Sequence, residues 1–282
     1  MLNFRTASID YLYGSLCSIL HREPAFDVGQ WQSQEVSQKF KEVFNVIFEY
    51  DIPDSMLKLQ YQTSCNLPWA EDHFRERISG NPLNPPPSAK YWPYAQNSHE
   101  DHVDKNLKFS HTYPERFWPK HANSVNKFHV RGGIRYRYGD LKDVIKLLSM
   151  QPHTRQAYLP VWFPEDTGAV SGQRVPCTLG YHFMIREGQI NCTYIIRSCD
   201  LLRHFRDDVY MACRLVQWLC YQVNNPEKVG EIGQEHNYKP GHLNMHIMNL
   251  HAFESDKLTL AREADNCARL YGLAEDGYVP SD

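Results

Sequence analysis

The sequence predicts an α+β fold in which a mixed β-sheet is flanked by helices, as a single domain over residues 1–282. Three observations carry this. Val209–Val223 spaces Ala212, Leu215, Val216, Leu219 and Cys220 as one apolar helical face. Thr178–Arg186 and Ile190–Ile196 are β-like runs joined by Glu187-Gly188, a hairpin signal. The remaining helical and strand-like runs follow no regular βαβ alternation, which argues against a doubly wound parallel sheet.

Taken in order, residues 7–21 place their apolar side chains at three- and four-residue spacing, a helix. Residues 35–50, with Val36, Phe40, Val43, Phe44, Val46 and Phe48, read as a helix running into a strand, closed by the turn Asp51-Ile52-Pro53-Asp54. The stretch from Gly80 to about 130 is different. Asn81-Pro82-Leu83-Asn84-Pro85-Pro86-Pro87 excludes helix and central strand, and the aromatic-rich segment 109–118 needs burial. It reads as a long ordered insertion at about 80–130. Asp140 opens a helix through Leu148 that stops near Pro152. A β-like run covers Ala157–Phe163, another covers Leu243–Phe253 after Pro240-Gly241, and a helix closes the pattern over about 255–270. No internal repeat is present.

Composition narrows the function classes. The chain is 42% hydrophobic and 22% charged, an ordinary globular balance. Its 30 basic and 33 acidic residues give a net charge of −3, which excludes a strongly basic nucleic-acid binder. No run of 18 apolar residues predicts a membrane span. Met1-Leu2-Asn3-Phe4-Arg5 lacks a signal-peptide pattern. Eight cysteines without paired short spacings read as reduced thiols of a cytoplasmic protein. The sequon Asn191-Cys192-Thr193 has no glycosylation role in that compartment.

Three segments carry the chemistry: Pro176-Cys177-Thr178, Arg197-Ser198-Cys199-Asp200 and Phe205-Arg206-Asp207-Asp208. A cysteine that starts one strand and an arginine that ends its hairpin partner can meet across the pair. A guanidinium beside a thiol favours the nucleophilic thiolate. Pro-Cys, then Arg-Ser-x-Asp 20 positions later, then a polar residue eight positions past that Asp, resembles the thymidylate synthase superfamily. Pro152-His153-Thr154-Arg155-Gln156 is similar to its Asp-Ser-Arg-Arg segment, and Asn249-Leu250-His251-Ala252-Phe253 to its sugar-binding His-x-Tyr segment. The resemblance runs from about residue 131 to 270.

Within that superfamily the deoxycytidylate 5-hydroxymethylases are the nearest branch. Thymidylate synthases carry Asn at the position of Asp208, where it serves uracil. An ionised Asp only accepts, which suits the N4 amino group of cytosine and repels O4 of uracil. The resemblance implies a thymidylate synthase-like fold, a homodimer, a nucleoside monophosphate substrate and 5,10-methylenetetrahydrofolate as co-substrate, with no metal. It implies that Cys177 adds to carbon 6 of the pyrimidine and so activates carbon 5 toward the one-carbon unit. Glu71, in Trp69-Ala70-Glu71-Asp72-His73-Phe74, is the candidate general acid–base, with Asp72 and Glu76 as competitors. By the same resemblance, Arg197 and Arg155 are expected to bind phosphate, Arg155 from the neighbouring subunit. The resemblance likewise implies that Ser198 and His251 face the sugar, that Asp208 reads the base and that Asp200 holds the folate pterin.

Three departures stand out. Gln156 replaces the family's second arginine, Phe253 replaces its tyrosine, and the N-terminal Arg-Thr-Gly phosphate loop has no counterpart. Arg22, Arg116, Arg135 and Arg137 are the candidate substitutes. The product expected is 5-hydroxymethyl-dCMP, in a phage-encoded or other cytoplasmic nucleotide pathway. The alternatives are a CMP 5-hydroxymethylase for a modified nucleoside, a dCMP 5-methyltransferase, a dUMP-using synthase or hydroxymethylase, and a non-catalytic nucleotide-binding relative. His99-Glu100-Asp101-His102 and His242/His246 match no metal-ligand pattern.

Overall fold

The computed structural model describes residues 1–27, 39–94, 108–122, 139–171, 174–225 and 236–271. One mixed sheet organises them. Its strands are β1 (Leu2–Thr6), β2 (Ala25–Asp27), β3 (Lys39–Asp51), β4 (Ala157–Pro160), β5 (Thr178–Arg186), β6 (Gln189–Ile196), β7 (Cys199–Asp200) and β8 (Lys239–Phe253). The order is β1-β3-β8-β6-β5-β4, with β2 on β3 and β7 on β8. Pairing is parallel for β1/β3, β6/β8 and β7/β8 and antiparallel elsewhere. The helices are α1 (Ile9–Arg22), α2 (Met56–Thr63), α3 (Trp69–Ile78), α4 (Tyr113–Phe117), α5 (Leu141–Met150), α6 (Phe205–Asn224) and α7 (Lys257–Tyr271).

The hairpin forms as its sequence requires. Glu187 and Gly188 both have positive φ, 52° and 73°, the mirror-image turn whose twist matches two antiparallel strands. Residues 39–51 are strand throughout, not helix into strand, and 35–38 lie outside the described residues. The helix-like spacing of Phe40, Val43 and Phe44 has a physical source. Asn45 has a φ of 57° and drops out of the ladder with β8, so the alternation resets there to bury Val46, Phe48 and Tyr50. Ala157–Phe163 is strand only to Pro160, although Val161 and Phe163 are buried beyond it.

One face of the sheet carries the core. Val46, Phe48 and Tyr50 of β3, Cys192, Tyr194 and Ile196 of β6, and Leu243, Met245 and Ile247 of β8 bury with α1 and α6 in one cluster. Gly14 lets α1 and α7 close together, since a Cβ there would fall 2.2 Å from that of Cys267. The opposite face exposes Phe44 (59%), Tyr158 (41%) and Met248 (37%). None of the described helices is long and apolar enough to cross a membrane.

Candidate functional site

Strand register brings the selected residues to one end of the sheet. Thr178 opposes Ile196, so Cys177 and Arg197 face each other just past the ends of β5 and β6. The backbone N–H of Arg197 donates to the Cys177 carbonyl at 2.9 Å. Its guanidinium donates to the carbonyls of Pro176 (Nε, 2.9 Å) and Val175 (Nη2, 3.3 Å), and Nη2 lies 4.0 Å from the Cys177 sulfur. No carboxylate pairs with Arg197 among the described residues. Asp200 of β7 pairs with His251 of β8, and Ser198 Oγ sits 3.4 Å from His251 Nδ1.

All eight cysteines are free. Cys177 is distinguished by its surroundings. Burial pushes its thiol up, the Arg197 guanidinium pulls it down, and the Asp208 carboxylate raises it again. The charges of Asp208 and the thiol therefore interact across the site. Asp208 lies in the first turn of α6, which starts at Phe205, four residues earlier than its apolar pattern suggested. Its neighbour Asp207 is buried and tied to Asn66 by two 2.8 Å hydrogen bonds, from N and Nδ2, a structural anchor. Among the described residues the Asp208 carboxylate makes one contact, 3.9 Å from the Cys199 thiol.

Desolvation pushes the Asp208 carboxyl up to about 7; Arg77 opposes the shift and Asp207 adds to it. The folded protein therefore holds this proton through a range where the unfolded chain, at its usual 3.8, has lost it. Stability falls as pH rises across that window. Asp208→Asn removes the titration. Its melting temperature is expected to exceed the wild type's by a few degrees at pH 8, with the gap shrinking toward pH 4; an equal gap at both would show that Asp208 does not carry this charge cost.

Other selected residues are placed differently. Glu71, on α3, is bound by Arg214 in a two-pronged ion pair (3.0 and 3.1 Å), by Tyr210 OH at 2.7 Å and by Arg75 at 3.1 Å. Burial alone would raise its carboxyl, but these donors hold it below the usual carboxylate range. The structure brings Glu71 to α6 as a clamp, and neither Cys177 nor Asp208 is among its hydrogen-bond partners. Its competitors are engaged as well. Glu76 accepts from Ser88 N at 2.7 Å and meets His73 Nδ1 at 3.1 Å, while Asp72 accepts from Tyr91 OH at 3.0 Å.

Arg155 is exposed beside β4, its carbonyl 2.9 Å from His182 Nε2. His182 is five residues along β5 from Cys177, roughly 15–20 Å at strand rise. The same chain's Arg155 therefore does not reach its own Cys177. Gln156 is exposed too. Of the candidate phosphate substitutes, Arg116 is corrected: it is buried and locked by Asp166 in two 2.8 Å bonds. Arg22 bonds Ser18 at the end of α1, and Arg135 and Arg137 lie outside the described residues. His242 pairs with Asp51 (2.6 Å) and His246 with Asn45 (3.3 Å). His99–His102 lie outside the described residues, among which no group of three His, Cys, Asp or Glu could hold a metal.

Asp200 accepts from the backbone N–H groups of Leu202 (3.0 Å) and Arg203 (3.1 Å) and pairs with the Arg203 guanidinium at 2.8 Å. It thus caps the turn into α6. On that turn the His204 ring stacks on Trp92, centroids 5.2 Å apart and planes 15° off parallel, and the Trp92 Nε1 is buried without a partner. His251 lies edge-on to Phe40, which itself contacts Phe253, and burial keeps its imidazole neutral by lowering its pKa.

Sequence reasoning missed Tyr113. It lies in the stretch read as an insertion, yet its hydroxyl accepts from Thr178 Oγ1 at 3.2 Å, one residue from Cys177. Ser110 Oγ ties the same stretch to the Arg174 carbonyl at 3.0 Å. The available signal was the capping box of α4, Thr112 with Glu115, visible as Thr-x-x-Glu.

A thymidylate synthase family model matches residues 97–270. That is more than half of the chain, and the chain belongs to the thymidylate synthase family. The matched span begins inside the 80–130 stretch, in keeping with the part Tyr113 takes in the site. A putative thymidylate synthase of Methanosarcina barkeri (strain Fusaro / DSM 804) is 27% identical over 113 residues, covering 40% of this chain and 45% of that protein. The match thus spans under half of that relative's length.

Proposed function

We propose that this protein transfers a one-carbon unit from 5,10-methylenetetrahydrofolate to carbon 5 of a cytidine monophosphate, forming 5-hydroxymethyl-dCMP from dCMP through a Cys177 adduct. The observation that carries the cytidylate reading is Asp208: a half-buried carboxylate whose charge acts on the Cys177 thiol and which has no strong donor among the described residues, so that a ligand donor can satisfy it. The N4 amino group of cytosine supplies that donor.

The folate fits the same end of the sheet. The His204–Trp92 stack is a flat wall suited to a pterin ring, and the buried Trp92 Nε1 lacks an acceptor that a ring nitrogen or carbonyl would provide. Asp200 accepts three bonds within the chain and has one lone-pair site left for a ligand N–H. When bound, the folate supplies the electrophilic one-carbon unit. The chain's own residues do the rest. Cys177 provides the nucleophile and Arg197 stabilises it as thiolate. Arg197, free of any described carboxylate, offers its charge to the phosphate, while Ser198 and the neutral His251 face the sugar hydroxyls. In this reading Glu71, held ionised by Arg214, Tyr210 and Arg75, serves as the general acid–base through water and takes the carbon-5 proton.

Incubating the protein with methylenetetrahydrofolate and dCMP, CMP or dUMP, and reading product masses, tests the assignment. The expected result is a dCMP product heavier by one hydroxymethyl group; turnover of dUMP alone overturns the cytidylate reading, and turnover of none of the three overturns catalysis.

We read the active form as a homodimer paired through the open sheet face. Exposed Phe44 and Met248 support this, as does Arg155, which stands on that side and away from its own Cys177. Arg155 then serves the partner's phosphate. Mixing inactive Arg155→Ala with inactive Cys177→Ala subunits is expected to restore about a quarter of the activity per site, since one hybrid site keeps both residues. No recovery after verified subunit exchange would remove the shared-site arrangement.

A further inference from the structure

Arg77 is a buried cation close to the site. It sits on α3 at 4% exposure, and its Nε is sealed off without a hydrogen-bond partner. No carboxylate pairs with the guanidinium among the described residues. A buried, unpaired guanidinium is costly, and such groups are normally paired. What holds it is an aromatic face: its guanidinium carbon lies 4.0 Å above the centre of the Tyr113 ring. The main chain is also pinned, the Arg77 carbonyl accepting from Trp118 Nε1 at 2.8 Å. The Glu71 clamp fixes α3 against α6 from the other side.

Tyr113 links Arg77 to the strand end that carries Cys177. Its hydroxyl meets Thr178 beside Cys177, and the charges of Cys177, Arg77 and Asp208 all bear on it. Arg77 is also the cation whose field acts most on the Asp208 carboxylate. A preorganised donor without an acceptor and a preorganised acceptor without a strong donor thus lie in one site.

We infer that Arg77 is a specificity-determining residue that donates to N3 of the cytosine ring, with O2 beside it, while Asp208 accepts from the N4 amino group. The inference rests on the cytidylate reading and deepens it. Cytosine presents N4–H as donor and N3 and O2 as acceptors, which a carboxylate alone cannot satisfy. A carboxylate and a guanidinium together complement that edge. Uracil presents O4 to Asp208 and N3–H to Arg77, so both contacts become mismatches. The planar fork of arginine suits two adjacent acceptors, as it does on guanine. A cationic donor at N3 also draws electron density from carbon 6, where the Cys177 thiolate adds.

The test compares binding of dCMP, dUMP and 3-deaza-dCMP, which has C–H in place of the N3 acceptor. Wild type is expected to favour dCMP over the deaza analogue by about tenfold or more. Arg77→Met is expected to bind the two about equally while keeping a folded circular dichroism spectrum. Arg77→Lys keeps the charge but not the fork, and decides the matter if the methionine variant does not fold; its ratio is expected to fall at least about threefold. An unchanged ratio in the folded variants overturns the role of Arg77 while leaving a dCMP preference intact. Wild type preferring dUMP to dCMP overturns the cytidylate reading itself, and Arg77's role with it.

Discussion

Replacing Cys177 with alanine is expected to lower turnover by on the order of 10⁴-fold or more, while nucleotide binding persists. The reasoning is local. Among eight free cysteines, Cys177 is the one that stands both partly open and within 4.0 Å of an unpaired guanidinium. Cys192, Cys199 and Cys213 are buried, with thiols that desolvation pushes up and no described arginine charge opposing it. Cys177 also rises on burial, but Arg197 and Arg174 pull against it. Serine at 177 keeps the shape and removes the reactive anion, because a hydroxyl stays protonated where a thiol ionises. Binding should survive in both variants: Arg197, Ser198, His251 and Asp208 reach the site from β6, β8 and α6 without leaning on the sulfur. Turnover and equilibrium binding of dCMP by the same preparations are the measurements. Full activity in Cys177→Ala would end the covalent mechanism, and loss of binding with loss of turnover would make Cys177 structural.

Much of this arrangement is legible in the sequence. The hairpin carries its own turn chemistry at Glu187-Gly188, so its register, and with it the meeting of Cys177 and Arg197, follows from local rules. The amphipathic stripe of α6 is equally plain. Less legible is whatever depends on packing between distant segments. The arginine that holds Glu71 lies 143 residues away, and no local pattern announces that contact. Tyr113 and Arg77 were hidden for a related reason. Each lies outside the motif-bearing half of the chain, and their stacking is a long-range contact between α3 and α4. The error over residues 39–44 came from one residue, Asn45, whose left-handed backbone shifts the alternation of a long strand.

Asp208→Asn is expected to move substrate preference from dCMP toward dUMP. In the wild type the carboxylate accepts from N4–H and faces O4 of uracil with no proton between them. Asparagine turns one acceptor into a donor, which meets O4 and removes one of the two mismatches with uracil. A mismatched hydrogen bond at a desolvated site costs about 1–3 kcal/mol. In the ratio of kcat/KM values that is roughly tenfold to over a hundredfold, and this ratio reports differential transition-state binding. The ionisation of Asp208 adds a second signature. Its carboxyl titrates near 7, raised by desolvation. Below that pH it gains a proton and becomes a donor able to meet O4; above it, it is acceptor-only. The wild-type preference for dCMP should therefore sharpen as pH rises from 6 to 8, whereas in Asp208→Asn the ratio should stay flat across that range. The mutation should also ease ionisation of Cys177, because the Asp208 charge helps hold the thiol up. Alkylation of Cys177 by iodoacetamide should then show a lower midpoint pH in the variant. A wild type that already prefers dUMP, or a dCMP/dUMP ratio unmoved by both the mutation and the pH, would reduce Asp208 to an acidic residue in the first turn of α6 and withdraw the base assignment.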